Sequence, residues 1–179
     1  DFLKKGTIEE IVYEKCSHLL GKSKIFVSEQ KKDVLEKIKK HISDNSSKKF
    51  IFGENYNYEK KIKGFLYKDQ LGSIDLPLPN LSGDFQISNV STAIAAARNL
   101  EQFKVTDLDI KKAITKIKSE GRLQSITHGK LRKYVSENNH ILIDGAHNSL
   151  AASVVKKHLE TLNSGRKIFM ILGMMANKE

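Results

Sequence analysis

In the segment "ILIDGAHNSL" (residues 141–150) an apolar run ends on a carboxylate, a glycine and an imidazole: Asp144, Gly145 and His147. A carboxylate at the end of a buried strand suits a ribose hydroxyl or a metal-bound water. An imidazole suits a phosphate oxygen or a sugar edge. In parallel sheets ligands bind where strand ends and helix N-termini converge, and this spacing puts both groups there. Gly145 permits a sharp turn, and Asn148 or Ser149 can cap the helix that follows. The competing reading is that Asp-Gly is only a turn signal. A second candidate is Gly21-Lys22-Ser23, the ending of a phosphate-binding loop. The full loop, G-x-x-x-x-G-K-[ST], requires a glycine where Cys16 stands. The tripeptide also follows a helical pattern and precedes the strand-like "KIFVS". That reverses the strand–loop–helix order that aims backbone N–H groups at phosphates, so it reads as a helix-ending turn.

The elements that must position these groups follow from hydrophobic spacing. Thr7 and Glu10 form a capping box, and Ile8, Ile11, Val12, Cys16 and Leu19 recur at helical spacing, which predicts a helix over 7–20. "KIFVS" (24–28) predicts a strand, and Val34, Leu35, Ile38 and Ile42 predict a helix over 29–43. "KKFIFG", "YNYEKKIKGFLYK" and "GSIDLPL" are short aromatic or β-branched runs split by glycines, as in hairpin strands. Helices are expected over 84–100 and, behind the N-cap Thr106, over 107–119. Strands are then expected at 123–127, 131–135 and 140–144, a helix at 149–162 and a strand at 167–172. The order "HILIDG", helix, "KIFMILG" is the pattern of a β-α-β unit. A boundary near residue 121 divides an α/β portion with a hairpin insert (1–120) from an incomplete second α/β domain (121–179).

Composition narrows the class. The 179 residues, 39% hydrophobic and 29% charged, fit a soluble globular protein of one large domain or two small ones. The longest apolar run, "IFMILGMMA", is too short to span a membrane, no secretory segment opens the chain, and Cys16 alone gives no disulfide framework. A cytoplasmic protein with no membrane partner is expected. The net charge of +10 comes mostly from lysines dispersed through helices and loops, without interleaved aromatics that would stack bases. No specific nucleic-acid partner is expected, only weak, salt-sensitive attraction to polyanions.

Five segments together resemble the folylpolyglutamate and dihydrofolate synthases, a branch of the Mur ligase superfamily. "IDGAHNSLAA" resembles their Asp-Gly-Ala-His-Asn motif and "GTIEEIVYEK" their threonine…glutamate-lysine segment. "FQISNVSTAIAA" is similar to their Gln-x-x-Asn helix, "EGRLQ" to their Gly-Arg linker, and "ILGMMANKE" to their glycine-methionine strand and loop. The resemblance implies part of a Mur ligase central α/β domain with a β-hairpin insert, followed by the start of a Rossmann-like C-terminal domain. It implies an ATP- and Mg²⁺-dependent ligase. Such an enzyme phosphorylates the carboxylate of folate or dihydropteroate, and the α-amino group of L-glutamate attacks the acyl phosphate.

Carried over by position, Lys15 matches the family's carbamylated lysine, an anion able to hold magnesium. Gln86 and Asn89 match the helix residues at the adenine, Arg122 the linker arginine at the ATP phosphates, and Asp144 and His147 the C-terminal-domain nucleotide contacts. Blander roles stay open: a surface lysine, a buried amide holding a helix, an interdomain salt bridge. The family's phosphate loop and its magnesium-binding carboxylate and histidine fall before Asp1. The resemblance therefore implies an internal piece, inactive alone, with a separately made N-terminal piece as a conceivable partner. The alternatives are a non-catalytic remnant that binds a partner or polyanions, and a Mur-type cell-wall ligase.

Overall fold

The computed structural model describes residues 6–19, 21, 23–162, 165 and 167–175. The chain divides into two compact units, one of Asp1–Pro79 with Phe85–Lys116, the other of Asn80–Asp84 with Ile117–Glu179.

The first unit begins with α1 (Ile8–Ser17), whose capping box is formed: Glu10 N–H donates to Thr7 Oγ1, and Thr7 N–H to the Glu10 carboxylate. β1 (Lys24–Val27), α2 (Lys32–Ile42) and β2 (Lys48–Ile51) follow. β1 and β2 pair in parallel with Phe26 opposite Phe50, so α2 is the crossover between them. "KKFIFG", expected from its composition in a hairpin, does not form one. Buried Ile25, Val27 and Ile51 instead need the apolar face of α2, and Ile42, Leu35 and Ile38 pack against them. Only a crossover brings that face onto the strand pair.

β3 (Tyr56–Lys61), β4 (Gly64–Asp69) and β5 (Gly72–Leu76) form an antiparallel meander. Alternation decides its buried face: Phe65 and Tyr67 on β4 are fully buried beside Ile74 and Leu76 on β5. Gly64 is required by close approach, since a Cβ there would collide with the Leu76 carbonyl oxygen. α3 (Phe85–Arg98) buries Ile87, Val90, Ser91, Ile94 and Ala95, the stripe expected of a helix packed along one face. α4 (Asp107–Lys116) is capped by Thr106, whose hydroxyl accepts from Asp109 N–H at 3.2 Å. Arg98, with a side chain 9% exposed, joins Asp69 (6% exposed) through Nε at 2.9 Å and Asp107 through Nη1 at 2.9 Å. Tyr67 donates its hydroxyl to Asp69 at 3.1 Å. These bonds tie β4, α3 and α4 together.

The second unit departs further from expectation. β6 (Gln124–Ser125) and β7 (Leu142–Ile143) form a short antiparallel pair, and α5 (Ser149–Leu162) follows, capped by Asn148, whose Oδ1 accepts from Ala151 N–H at 2.8 Å. "LRKY" (Leu131–Tyr134) is a 3₁₀ turn, not a strand. Leu131 and Tyr134 stand three residues apart, which is not strand spacing, and both are exposed, so no core selects the extended form. Residues 167–175 hold no strand, and Ile168 to Leu172 are exposed. A run apolar on both faces becomes a strand only between sheet neighbours, and none lies beside it among the described residues. The β-α-β expectation over 140–172 is therefore corrected: β7 and α5 form, the second strand does not. Among the described residues no helix is long and apolar enough to cross a membrane.

Candidate nucleotide-contact residues

The linker segment and the Asp-Gly-Ala-His turn meet within the second unit through a set of short hydrogen bonds. Gly121 N–H donates to Gln124 Oε1 at 2.9 Å, closing the turn on itself. Gly145 N–H donates to the Gly121 carbonyl at 2.7 Å. The Asp144 carboxylate accepts from two backbone amides, Leu123 N–H through Oδ2 and Ala146 N–H through Oδ1, each at 2.7 Å. Gly121 has φ +65°, which glycine adopts freely, but Leu123 sits at φ +47° with its side chain 2% exposed. A left-handed conformation costs an L-residue about 1–2 kcal/mol. A hydrogen bond to a charged acceptor contributes about 1.5–3 kcal/mol, enough to offset it. Burial of the Leu123 side chain holds the same turn from the other side.

This network sets the position of Arg122. Its Nη1 lies 3.4 Å from where a Cβ on Gly145 would stand, so the guanidinium rests over the Asp-Gly turn. Gly145 is not in a left-handed conformation, and alanine there would make ordinary van der Waals contact. Neither a left-handed backbone nor a close approach therefore requires glycine at this position. His147 is exposed, and its Nδ1 is 3.0 Å from the Gly145 carbonyl. A carbonyl only accepts, so Nδ1 carries the proton and Nε2 is left to meet a ligand. A neutral imidazole held this way accepts from a sugar hydroxyl; donating to a phosphate oxygen requires its cation. Arg122, Asp144 and His147, picked from sequence, thus lie on two turns bonded to each other: an exposed planar cation over Gly145, a carboxylate occupied by backbone amides and an imidazole bonded to its own turn.

On the first unit, Gln86 and Asn89 sit one turn apart on α3. Gln86 is buried (4% exposed) and its Oε1 accepts from Asn89 Nδ2 at 3.1 Å. Asn89 itself is exposed, with its carboxamide oxygen left to accept from a ligand donor such as an exocyclic amine. Gln86 orients Asn89. Lys15 is 74% exposed at its side chain and pairs with Glu14 at 3.4 Å. Among the described residues no group of three or more histidine, cysteine, aspartate or glutamate side chains is gathered as a metal would require. Gly21 lies in the turn after α1, where its carbonyl accepts from Ser46 Oγ, while Lys22 falls outside the described residues.

Sequence reasoning missed Leu123 and Gln124. The signal for Gln124 was present as Gly-x-x-Gln, a side-chain acceptor set to reach back to the first N–H of a turn. The strained Leu123 has no sequence signal, because leucine does not advertise a left-handed conformation.

No protein-family model matches the sequence, and no curated protein sequence does. Solved structures do match. A point mutant of the L. casei folylpolyglutamate synthase aligns with TM-score 0.71 and 25% identity, over 89% of this chain and 39% of that one. A folylpolyglutamate synthase in complex with AMPPCP and folate aligns with TM-score 0.68 and 25% identity, over 88% and 38%. E. coli FolC in complex with DHPP and ADP aligns with TM-score 0.65 and 24% identity, over 89% and 35%, a likeness of fold. The chain spans about two fifths of the length of these enzymes, and over that span it has the fold of the folylpolyglutamate synthases and resembles them in sequence at about one aligned position in four.

Proposed function

We propose that this chain is the nucleotide-contacting part of an ATP-dependent ligase that adds L-glutamate to folate or dihydropteroate. The observation that carries the reading is the junction of the Gly121–Leu123 turn with the Asp144–Ala146 turn, which sets the Arg122 guanidinium over Gly145, two residues before His147, in a chain with this fold. Arg122 presents a permanent planar cation to the ATP phosphates, where charge builds as the γ-phosphoryl group leaves for the substrate carboxylate. His147 offers Nε2 to the nucleotide sugar. On α3, Asn89, oriented by Gln86, offers amide groups to the adenine edge. Gln86 and Asn89 fall in 1–120, proposed as the later part of a central ATP-binding domain, and Arg122, Asp144 and His147 in 121–179, proposed as the opening of a glutamate-ligase domain.

The chemistry is an acyl phosphate formed from ATP and attacked by the amine of glutamate, with the cation stabilising transferred charge. Magnesium belongs to such a reaction, and Lys15 as a carbamate is the one position of this chain proposed to reach it. Glu14 beside it adds a second negative group, but this pair alone does not make a metal site, and no step is assigned to it.

The test replaces the matching stretch of the L. casei enzyme with this chain and follows ATP-dependent addition of glutamate to folate. Activity is expected, and Arg122→Ala should lower kcat/KM by about 100-fold, the effect of losing one preorganised charge at a transferring group. A folded, active chimera whose AMPPCP binding and turnover are unchanged by Arg122→Ala, His147→Ala and Asn89→Ala would overturn the proposal.

A further inference from the structure

We infer that Asp144 is a positioning residue that acts through Arg122, by clamping the linker turn, rather than chiefly a direct nucleotide contact. Both carboxylate oxygens are engaged at 2.7 Å by backbone amides, one of them the N–H of Leu123, the residue held at φ +47°. The amide of Leu123 immediately follows Arg122, so the bond fixes the backbone on the C-terminal side of the arginine. On the N-terminal side Gly121 is fixed by its carbonyl, which accepts from Gly145, and by its N–H, which donates to Gln124. Arg122 is therefore pinned on both flanks by the turn that carries His147. The backbone that carries the cation and the backbone that carries the imidazole are thereby tied together, and Asp144 is the group that joins them. The consequence for ATP rests on the proposed ligase reading; the clamp itself does not.

The experiment is amide hydrogen exchange and side-chain NMR on the whole chain, first without nucleotide. The clamp predicts a slowly exchanging Leu123 amide, a hydrogen-bond coupling between its nitrogen and the Asp144 carboxyl carbon, and an Overhauser contact between Arg122 and Gly145. In Asp144→Ala, Leu123 should exchange at least about tenfold faster, as expected on losing one charge-assisted bond. The Arg122 contact should disappear while α5 amides keep their protection. Asp144→Asn, which keeps one acceptor, should restore part of it. An unprotected Leu123 amide in the unmodified chain, or an Arg122–Gly145 contact that survives Asp144→Ala, would overturn the inference. Should Asp144→Ala unfold the unit, the coupling in the unmodified chain decides.

With AMPPCP added, loss of the Arg122 shift in Asp144→Ala marks a positioning role for the nucleotide. A persisting Arg122 shift with only the sugar signals altered marks a direct contact and overturns it. Absence of any AMPPCP response in the unmodified chain, with the clamp intact, counts against the ligase reading alone.

Discussion

Each of the two units is held in shape by a different kind of force. Among the described residues every buried apolar side chain except Leu123 lies in the first unit, from Val12 through Phe65, Tyr67 and Ile94 to Ile114. The second unit carries a large exposed apolar run, Ile168 to Met175, and what order it shows around residues 121–147 comes from turns bonded to turns. Packing makes the first unit a scaffold in which substitutions are felt through volume. Directed bonds make the second a set of positions in which substitutions are felt through geometry. The groups proposed to meet ATP phosphates belong to the second kind.

Breaking that contrast is most direct at the core. Phe65→Ala, at a side chain with no exposure, should cost about 3–5 kcal/mol, read as a lower urea midpoint for the first unit's signals. Arg98→Ala leaves Asp69 buried without its cation and should cost about 3 kcal/mol on the same measurement.

Alkaline pH should separate the units next. Burial, then the charge of Asp69 and the hydrogen bond to it, push Tyr67 far above the ordinary phenol range, and burial raises Tyr56. The folded unit keeps protons that the unfolded chain releases. Stability is thus full below the ordinary phenol value of about 10 and falls as pH rises past it. The first unit should lose stability above that pH, and Tyr67→Phe should flatten the dependence.

In the second unit Asp144→Ala should cost about 1–3 kcal/mol, with the change confined to residues 121–125 and 144–147 by NMR. The smallest effect belongs to Lys15→Ala, which should leave the unfolding midpoint unchanged because the Glu14 pair is exposed. Mass spectrometry of the chain in bicarbonate tests its proposed carbamate independently.

The sequence was most legible where one residue type answers to one local rule. The capping residues Thr7, Thr106 and Asn148 act as caps, and α2, α3 and α5 form where the apolar spacing put them. It was least legible where the partner is distant. β2 pairs in parallel with β1 because α2 needs both strands, a fact absent from "KKFIFG" itself. Residues 131–135 and 167–172 have strand composition without a face to bury. For the site, Arg122 and Asp144 stood out by type, but their meeting depends on amides of Leu123 and Gly145 that carry no side-chain signature.

Titration of the ¹⁵N-labelled chain with AMPPCP, at concentrations high enough to register weak binding, tests the central reading. The account predicts saturable shifts at Arg122 and His147 and at Asn89 with Gln86, all abolished by Arg122→Ala except the adenine-side pair, which weakens. Shifts scattered over the exposed lysines, unaltered by Arg122→Ala and removed by salt, would contradict it.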